Sequence, residues 1–311
     1  MDDGVLIQVK DLAKTYNFGK VKALDGISLD IQKGEIFGLI GPNGAGKTTL
    51  MGCLLGLLWP SKGSVVIDGR SPNDLAVKSM TGFMPERPSF DKWMTITQFL
   101  TYQYMLCGKP LKTARPVIDD ALVQVQLERA AWKRPIRKLS RGMLQRVGLA
   151  QIIINKPKLC FLDEPTSGMD PLGMALVREL LLKWRDEGAT IVLNSHHLDE
   201  VERICNRVAF IQKGSIQSIE NTGVNANGTC IYIVRWDAGS VNGTIESVMN
   251  QLTEKLEISL QEHVPGNAKL RLNNQAQASE VINFLVHNGI PITEATFERK
   301  ALLDLFVEQK G

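Results

Sequence analysis

Short apolar runs alternate with segments of helical periodicity through the first two thirds of the chain. Runs at 36–40, 158–162 and 190–194 are apolar almost throughout, which is typical of strands buried in a parallel sheet. Stretches at 5–9, 23–31, 64–68 and 82–86 predict further strands. Helical spacing recurs from Leu50 onward, near 172–186, and between about 95 and 154, where Thr95-x-x-Gln98 forms a capping box. We therefore expect an α/β domain with a helical insert.

The pattern changes at a polar, Asn/Gly-rich stretch, 220–228, which predicts a linker. Beyond it we expect strands at 229–236, 256–263, 267–273 and 290–296, and helices at 243–255, 276–288 and 299–308. The order βαββαβ matches a ferredoxin-like sandwich. The predicted organisation is a first domain at 1–219, the linker, and an α+β accessory domain at 229–311. The accessory domain carries no visible ligand motif, so both a small-ligand sensor and a packing or dimerisation module stay open.

Composition and charge indicate the cellular compartment of the chain and the kind of ligand it binds. No apolar stretch reaches the ~18 residues needed to cross a bilayer, and the start of the sequence lacks a signal-peptide pattern. The scattered cysteines form no C-x-x-C pair and are expected to be reduced, so we expect a cytosolic chain. Residues 1–219 carry 29 basic and 22 acidic side chains, whereas the remainder carries 7 and 11. A basic first domain suits a polyanionic ligand, and an acidic tail argues against nucleic acid as a partner.

The segment GPNGAGKTT, from Gly41 to Thr49, fits the phosphate-loop pattern G-x-x-x-x-G-K-[ST]. It lies between a predicted buried strand and a helix, as that motif requires. Its glycines allow backbone N–H groups to converge on a phosphate, and a helix N-terminus adds positive potential. Lys47 is expected to neutralise β- and γ-phosphate oxygens, and Thr48 to offer its hydroxyl to Mg²⁺. A glycine-rich turn before an ordinary helix would not require the Lys-Thr pair at this spacing.

Polar residues follow the other two buried strands. Asp163 and Glu164 come directly after the 158–162 run, and His196 follows the 190–194 run. Ligands of parallel α/β sheets bind at the carboxyl ends of strands, so we expect Asp163 to hold Mg²⁺ and Glu164 to polarise a water for attack on the γ-phosphate. Alone, an Asp-Glu pair is more often a helix cap, and a lone histidine is more often a surface or core residue. The phosphate loop favours the functional interpretation.

These motifs, in this order, resemble the nucleotide-binding domain of an ATP-binding-cassette (ABC) transporter over roughly residues 5–218. Besides the phosphate loop, Leu139-Ser-Arg-Gly-Met143 resembles the family signature Leu-Ser-Gly-Gly-Gln, and 161–170 resembles the Walker B strand running into the D-loop. The resemblance implies a P-loop NTPase cassette of α/β class, with a mixed sheet core, an antiparallel β subdomain and a helical subdomain. It also implies ATP and Mg²⁺ as ligands. The implied ATP-binding residues are Tyr16 (on the adenine), Val21, Gly41, Asn43, Gly44, Ala45, Gly46, Lys47, Thr48, Thr49, Ser140, Gly142 and Asp170; the implied metal-binding residues are Thr48, Glu86 and Asp163; the implied catalytic residues are Glu164 and His196.

Two motifs depart from the family pattern. Glu86 stands where the family usually has the Q-loop glutamine, and its carboxylate could still reach Mg²⁺ or its water. In the signature, Arg141 replaces a glycine and Met143 replaces the glutamine, while Ser140 and Gly142 remain. A serine hydroxyl and a helix N-terminus can therefore still meet a γ-phosphate. Such variants resemble cassettes of exporters more than those of sugar or amino-acid importers.

The resemblance also implies partners. In the family, two cassettes dimerise head to tail, and each ATP lies between one phosphate loop and the other chain's signature, so we expect a homodimer. An integral membrane permease would be the second partner, with this chain peripheral on the cytoplasmic side of the membrane. The stretch 87–94 follows Glu86, and Trp93 and Met94 within it are expected to contact the permease; the alternative is that both pack under the helical insert.

Two other functions compete with a transport ATPase. One is a soluble ABC ATPase that acts on a macromolecular complex such as DNA or the ribosome. Chromosome ATPases of the family place a long coiled coil between phosphate loop and Walker B, whereas Lys47 and Asp163 are only 116 positions apart here, and translation-type members carry two cassettes. The other is a non-catalytic regulator, which is disfavoured because Lys47, Asp163, Glu164 and His196 are all present.

Overall fold

Two units of the chain, Met1–Glu220 and Asn221–Gly311, are built around separate apolar cores. The computed structural model describes residues 4–17, 19–222, 230–237, 245–273 and 277–297. Within those ranges no helix combines the length and apolar character needed to cross a membrane.

A six-stranded sheet forms the centre of the first unit, in the order β5-β6-β7-β3-β8-β9. Its strands are β3 (Ile36–Ile40), β5 (Thr81–Met84), β6 (Leu159–Asp163), β7 (Thr190–Asn194), β8 (Arg207–Gln212) and β9 (Ser215–Asn221). The first five strands in that order run parallel, and β3, β6 and β7 are buried along their whole length, as their apolar runs predicted. Parallel alignment brings the carboxyl ends of these three strands to one edge.

The last strand of this sheet corrects the predicted linker. β9 follows β8 after a two-residue turn, and Ile216 and Ile219 pack against the core of the unit. Because this apolar spacing holds the strand to the sheet, β9 continues through Asn221. The two units divide between Glu220 and Asn221, beside the predicted domain boundary, while β9 occupies the first two positions of the predicted linker. Positions 223–228 of that linker lie outside the described residues.

A three-stranded antiparallel sheet covers one side of the first unit, in the order β2-β1-β4. It consists of β1 (Val5–Tyr16), β2 (Val21–Gln32) and β4 (Lys62–Ile67). β1 and β2 are longer than the alternating stretches predicted, because register shifts interrupt the alternation without ending the pairing. Their inward side chains join the same core as the phosphate-loop strand and helix.

The helices of the first unit follow the predicted order with different limits. They are α1 (Lys47–Leu54), α2 (Leu75–Met80), α3 (Ile96–Leu106), α4 (Ala114–Gln124), α5 (Arg141–Ile153), α6 (Pro171–Asp186) and α7 (Leu198–Ile204). α1 begins at Lys47 rather than Leu50, with Gly46 at its N-cap position. It ends at Leu54, and Leu57 beyond it is 66 % exposed. The short helix α2, capped by Asp74, was not predicted. The capping box of Thr95 and Gln98 opens α3 as predicted.

The second unit contains a four-stranded antiparallel sheet in the order β11-β12-β10-β13. Its elements are β10 (Cys230–Trp236), α8 (Ile245–Leu256), β11 (Ser259–Val264), β12 (Asn267–Leu272), α9 (Gln277–His287) and β13 (Ile292–Phe297). The buried faces of both helices and of the sheet share one apolar core. This is the strand order of a ferredoxin-like sandwich, as the sequence predicted. The predicted helix at 299–308 lies outside the described residues.

The separate cores lead to a first prediction. A chain ending after Thr222 keeps β9 whole and removes the second unit. We expect it to fold and to bind ATP with the affinity of the full chain, because every residue proposed to touch ATP precedes that point. Titration with a fluorescent ATP analogue measures this. A truncated chain that unfolds in one cooperative transition yet binds no ATP would show that the first unit depends on the second.

Candidate functional site

The loop between β3 and α1 packs tightly against the backbone of the neighbouring strands β8 and β2. An added Cβ at Gly41 would lie 2.1 Å from the carbonyl oxygen of Ile211, so no larger residue fits there. Gly46 caps α1 with a φ of +109°, and its Cβ would lie 2.6 Å from the carbonyl oxygen of Ala23. The glycines are therefore required by close backbone approach, and they place the first N–H groups of α1 where an anion can be bound. The same loop contains Asn43, Gly44 and Ala45, and Thr48 and Thr49 lie in the first turn of α1.

Lys47 lies at the start of α1 and is buried. Its Nζ donates to the carbonyl oxygens of Gly41 at 2.6 Å and Pro42 at 3.1 Å, so the side chain folds back over the loop. Burial lowers the pKa of Lys47, and the carboxylates of Glu164 and Asp163 partly oppose that shift. The ammonium group is thus held between the loop and the two acids, where it can bind phosphate oxygens.

Asp163 ends β6 opposite Asn194, which ends β7. The Asn194 side chain donates from Nδ2 to Oδ1 of Asp163, and the Asn194 carbonyl accepts from the Glu164 N–H at 2.8 Å. Burial raises the pKa of Asp163, while the hydrogen bond from Asn194 lowers it. One buried asparagine therefore fixes both consecutive acids. Sequence analysis missed Asn194, although its place at the end of a buried strand was a usable signal.

Glu164 forms the centre of the site. Its Oε1 lies 2.8 Å from Nδ1 of His196, while its Oε2 is buried with no hydrogen-bond partner among the described residues. Its φ is +49°, an unusual left-handed backbone conformation for a residue that precedes proline. The two carboxylate oxygens of Glu164 therefore differ, because His196 holds one and the other can still accept a hydrogen bond.

Glu86 follows β5 and is the third acid of this edge. Its negative charge contributes to the raised pKa of Asp163, although burial is the largest cause. Its side chain is 46 % exposed and lies 3.8 Å from Arg87 Nε. Gln145 of α5, which is 1 % exposed, donates to the Glu86 carbonyl at 3.3 Å and lies 3.5 Å from the Glu164 carbonyl. Gln145 was missed by sequence analysis, since nothing local in a helix shows which loop its side chain reaches.

The residues at this edge also suit Mg²⁺. Asp163, Glu86 and the exposed hydroxyl of Thr48 supply hard oxygen donors. The described residues contain no cluster of three or more metal-binding side chains. Mg²⁺ is commonly held by one or two carboxylates together with substrate phosphates and water, and Asp163 and Glu86 are the carboxylates that this edge offers.

Tyr16 and Val21 face each other across β1 and β2, although five positions separate them in sequence. Val21 is 48 % exposed, and Lys14 Nζ lies 5.3 Å from the centre of the Tyr16 ring. The pair thus forms a partly open surface where a flat ring could stack, with a cation beside it. Lys14 is a further residue that the sequence analysis missed.

Ser140, Gly142 and Asp170 lie together, away from the phosphate loop. They line a cavity of about 520 Å³ that contains no phosphate-loop residue. Ser140 caps α5 by accepting from Met143 N at 3.3 Å, and Asp170 caps α6 by accepting from Gly173 N at 2.9 Å. One chain therefore places Glu86, Asp163, Glu164 and His196 at the sheet edge near Lys47, whereas Ser140, Gly142 and Asp170 lie together at a second place.

Comparison with known proteins gives a consistent result. A family model described as "ABC transporter" matches residues 24–167. The chain is 44 % identical over 217 residues to an uncharacterized ABC transporter ATP-binding protein of Nostoc, covering 68 % of this chain and 65 % of that protein. It is 36 % identical over 212 residues to the lantibiotic transport ATP-binding protein SrtF of Streptococcus pyogenes, covering 68 % and 89 %. The dimeric structure of MJ0796, a bacterial ABC transporter cassette, superposes with a TM-score of 0.65 at 25 % identity, covering 70 % of this chain and 99 % of that one.

Proposed function

Because the chain belongs to the ABC transporter family, we propose that it is an ATPase subunit that powers transport through a separate membrane permease. The observation that carries this proposal is the pair of Glu164 and His196, 2.8 Å apart, at the sheet edge that holds Lys47 and Asp163. A general base, a phosphate-binding cation and a metal-binding acid are the parts that ATP hydrolysis needs.

The chain's own residues would act as follows. The N–H groups of the loop and Lys47 bind the β- and γ-phosphates, and Tyr16 stacks on the adenine. Asp163, Glu86 and Thr48 would hold Mg²⁺, which neutralises phosphate charge when bound. Glu164 accepts a proton from the attacking water through a carboxylate oxygen, while His196 holds the other oxygen and thereby fixes the side chain.

The residues that lie apart from the phosphate loop imply a second chain. Ser140 and Gly142 at the start of α5 would contact the γ-phosphate of an ATP held by another chain, and Asp170 would lie at the same interface. A symmetric homodimer supplies both missing halves. The dimeric cassette MJ0796, whose fold superposes on this chain, supports that arrangement.

A membrane permease is the second proposed partner, which places the chain at the cytoplasmic face of a membrane. The relative SrtF is a lantibiotic transport ATP-binding protein, and its similarity supports transport as the function. We propose export as the direction because Glu86, Arg141 and Met143 resemble the variants of exporter cassettes. The cargo would be selected by the permease, since none of the residues proposed here is assigned to binding a cargo.

Co-purification and reconstitution test this function. The tagged chain is isolated from detergent-solubilised membranes, its partners are identified by mass spectrometry, and the complex is placed in proteoliposomes. We expect a multispanning partner whose presence raises Mg²⁺-dependent ATP hydrolysis. Hydrolysis that is instead stimulated by DNA or ribosomes, with no membrane partner, would support the soluble ABC ATPase.

Glu86 gives a prediction about metal dependence. Glu86→Gln should raise the Mg²⁺ concentration for half-maximal hydrolysis about fivefold, since losing one nearby charge is worth roughly 1 kcal/mol in a well-solvated site. ATP binding without metal should change little. Asp91→Asn, an exposed acid five positions later, serves as the control. Identical Mg²⁺ titrations for native chain and Glu86→Gln would make Glu86 a solvated loop residue.

Trp93 gives a prediction about the permease. Its side chain is 74 % exposed with Arg137 stacked 4.4 Å from its centre, whereas Phe90 packs edge-on against Phe99. Phe90 thus packs against the helical insert, and Trp93 stays available for docking. Exposed tryptophans that become buried in interfaces often contribute at least ~2 kcal/mol.

Trp93→Ala should therefore lower transport by the complex tenfold or more while the isolated chain hydrolyses ATP at the native rate. Trp59→Ala is the matched control, because Trp59 is 73 % exposed on another part of the unit. Equal transport by the two variants would contradict docking through Trp93.

A further inference from the structure

Arg141, which stands where the family signature has a glycine, links the start of α5 to the segment 167–168, which precedes α6. Its Nη2 donates to Ser167 Oγ at 2.6 Å. Its stem packs so closely on Gly168 that a Cβ added there would lie 2.5 Å from Arg141 Cδ. The guanidinium group and the aliphatic stem of Arg141 therefore both contact the segment 167–168.

The segment 167–168 follows Glu164 closely in the chain and is hydrogen-bonded to it. The Ser167 N–H donates to the Glu164 carbonyl at 3.0 Å and closes the turn 164–167. Glu164 begins this turn with its φ of +49°. A left-handed residue before proline persists only where its surroundings fix it. Ser167 is one of the groups that fix it, and Arg141 holds the hydroxyl of Ser167.

The two ends of this connection serve different ATP molecules. In the proposed dimer, Ser140 and Gly142 contact ATP bound by the partner chain, whereas Glu164 acts on ATP bound by its own chain. Arg141 lies between Ser140 and Gly142 in sequence and contacts the turn that carries Glu164 in space. The contact thus lies on the path between the two sites within one chain.

We propose that Arg141 is a positioning residue that couples the two ATP sites of the dimer through Ser167. This inference rests on the proposed function. ATP of the partner chain, seated against the start of α5, fixes Arg141 and through it the turn from Glu164 to Ser167. The base of each site is then in place only when the other site holds ATP, so the two hydrolysis events depend on each other.

Mixed dimers with two affinity tags test the coupling. One chain carries Glu164→Gln, so only the site built on the other chain's Glu164 turns over. Arg141→Ala is placed on that other chain, whose signature faces the inactive site. Any loss of hydrolysis must then pass through the chain from Arg141 to Glu164. We expect kcat to fall about fivefold or more, the lower end of common coupling factors, with KM for ATP little changed.

Three further variants of the same chain test whether the effect depends on the hydrogen bond between Arg141 and Ser167. Ser167→Ala should reproduce the loss, and adding it to Arg141→Ala should cause no further loss, because both break one hydrogen bond. Arg141→Lys keeps the charge and a donor, and should restore part of the rate. Lys138→Ala removes an exposed cation three positions earlier and should leave the rate unchanged. Arg141 is exposed, so we expect the variants to unfold in the native transition.

The outcomes separate this inference from the proposed function. If Arg141→Ala lowers the rate only when placed on the Glu164→Gln chain, whose signature serves the active site, Arg141 acts on the partner's ATP alone and the coupling is wrong. An additive effect of Ser167→Ala would overturn it as well. A native chain that hydrolyses no ATP in any dimer would overturn the proposed function itself.

Discussion

Replacing Glu164 by glutamine is expected to lower ATP turnover by about 10²- to 10⁴-fold, the usual contribution of a positioned general base. Glutamine keeps the shape of the side chain but cannot accept a proton as a carboxylate does. It also removes a negative charge that faces the γ-phosphate. Both changes act in one direction, so the ATP-bound dimer should live longer while it hydrolyses more slowly.

Two measurements follow from this expectation. A phosphate-release assay gives the turnover, and size exclusion with ATP should show a shift from monomer to dimer at concentrations where the native chain elutes mainly as monomer. Glu187→Gln, an exposed acid just after α6, is the control and should behave as the native chain. Native turnover by Glu164→Gln would remove Glu164 from the catalytic role.

The second large effect concerns Ser140. Adding Ser140→Arg to Glu164→Gln should abolish the ATP-dependent dimer, because the arginine would occupy the space at the start of α5 that the partner's γ-phosphate needs. ATP binding by each single chain should persist, since Ser140 lies apart from the phosphate loop. Size exclusion with ATP and an ATP-binding titration on the same sample separate the two properties.

Ser140→Ala provides the milder comparison. It removes the N-cap hydroxyl that accepts from Met143, at a cost of about 1 kcal/mol to the helix, without blocking the interface. It should therefore weaken the dimer rather than abolish it. A dimer that ignores both ATP and Ser140→Arg would point to assembly through the second unit of the chain.

The sequence by itself determined the central sheet and most of the sheet edge at which we propose that ATP is hydrolysed. Fully apolar runs are strands buried on both faces, and such strands run parallel in α/β domains. The residues that follow them must therefore meet at one edge, which is why Asp163, Glu164 and His196 could be placed near Lys47 before any coordinates. Local spacing alone also gave the βαββαβ order of the second unit, because helical and strand periods differ.

The sequence determined the limits of helices and strands less well, because the residues that set those limits give only a weak sequence signal. α1 starts at Lys47 because Gly46 takes a left-handed φ of +109°, and the periodic signal is seen only once apolar residues recur at Leu50. Strand β9 extends into the polar stretch that was predicted to be a linker, and Ile216 and Ile219 of this strand pack against the core. The start of α1 thus depends on a backbone conformation, and the end of β9 depends on contacts with a core. The periodicity of apolar residues shows neither limit.

Only the tertiary structure decided which side chains hold the site together. Asn194 reaches Asp163 across two strands that are 31 positions apart, and Arg141 reaches Ser167 across 26. Gln145 reaches the Glu86 carbonyl across 59. These pairings depend on strand order and on how α5 packs beside the sheet, which periodicity along the chain does not encode. The sequence therefore indicated the groups that we propose act on ATP, while the packing of distant elements determined which residues contact and orient them.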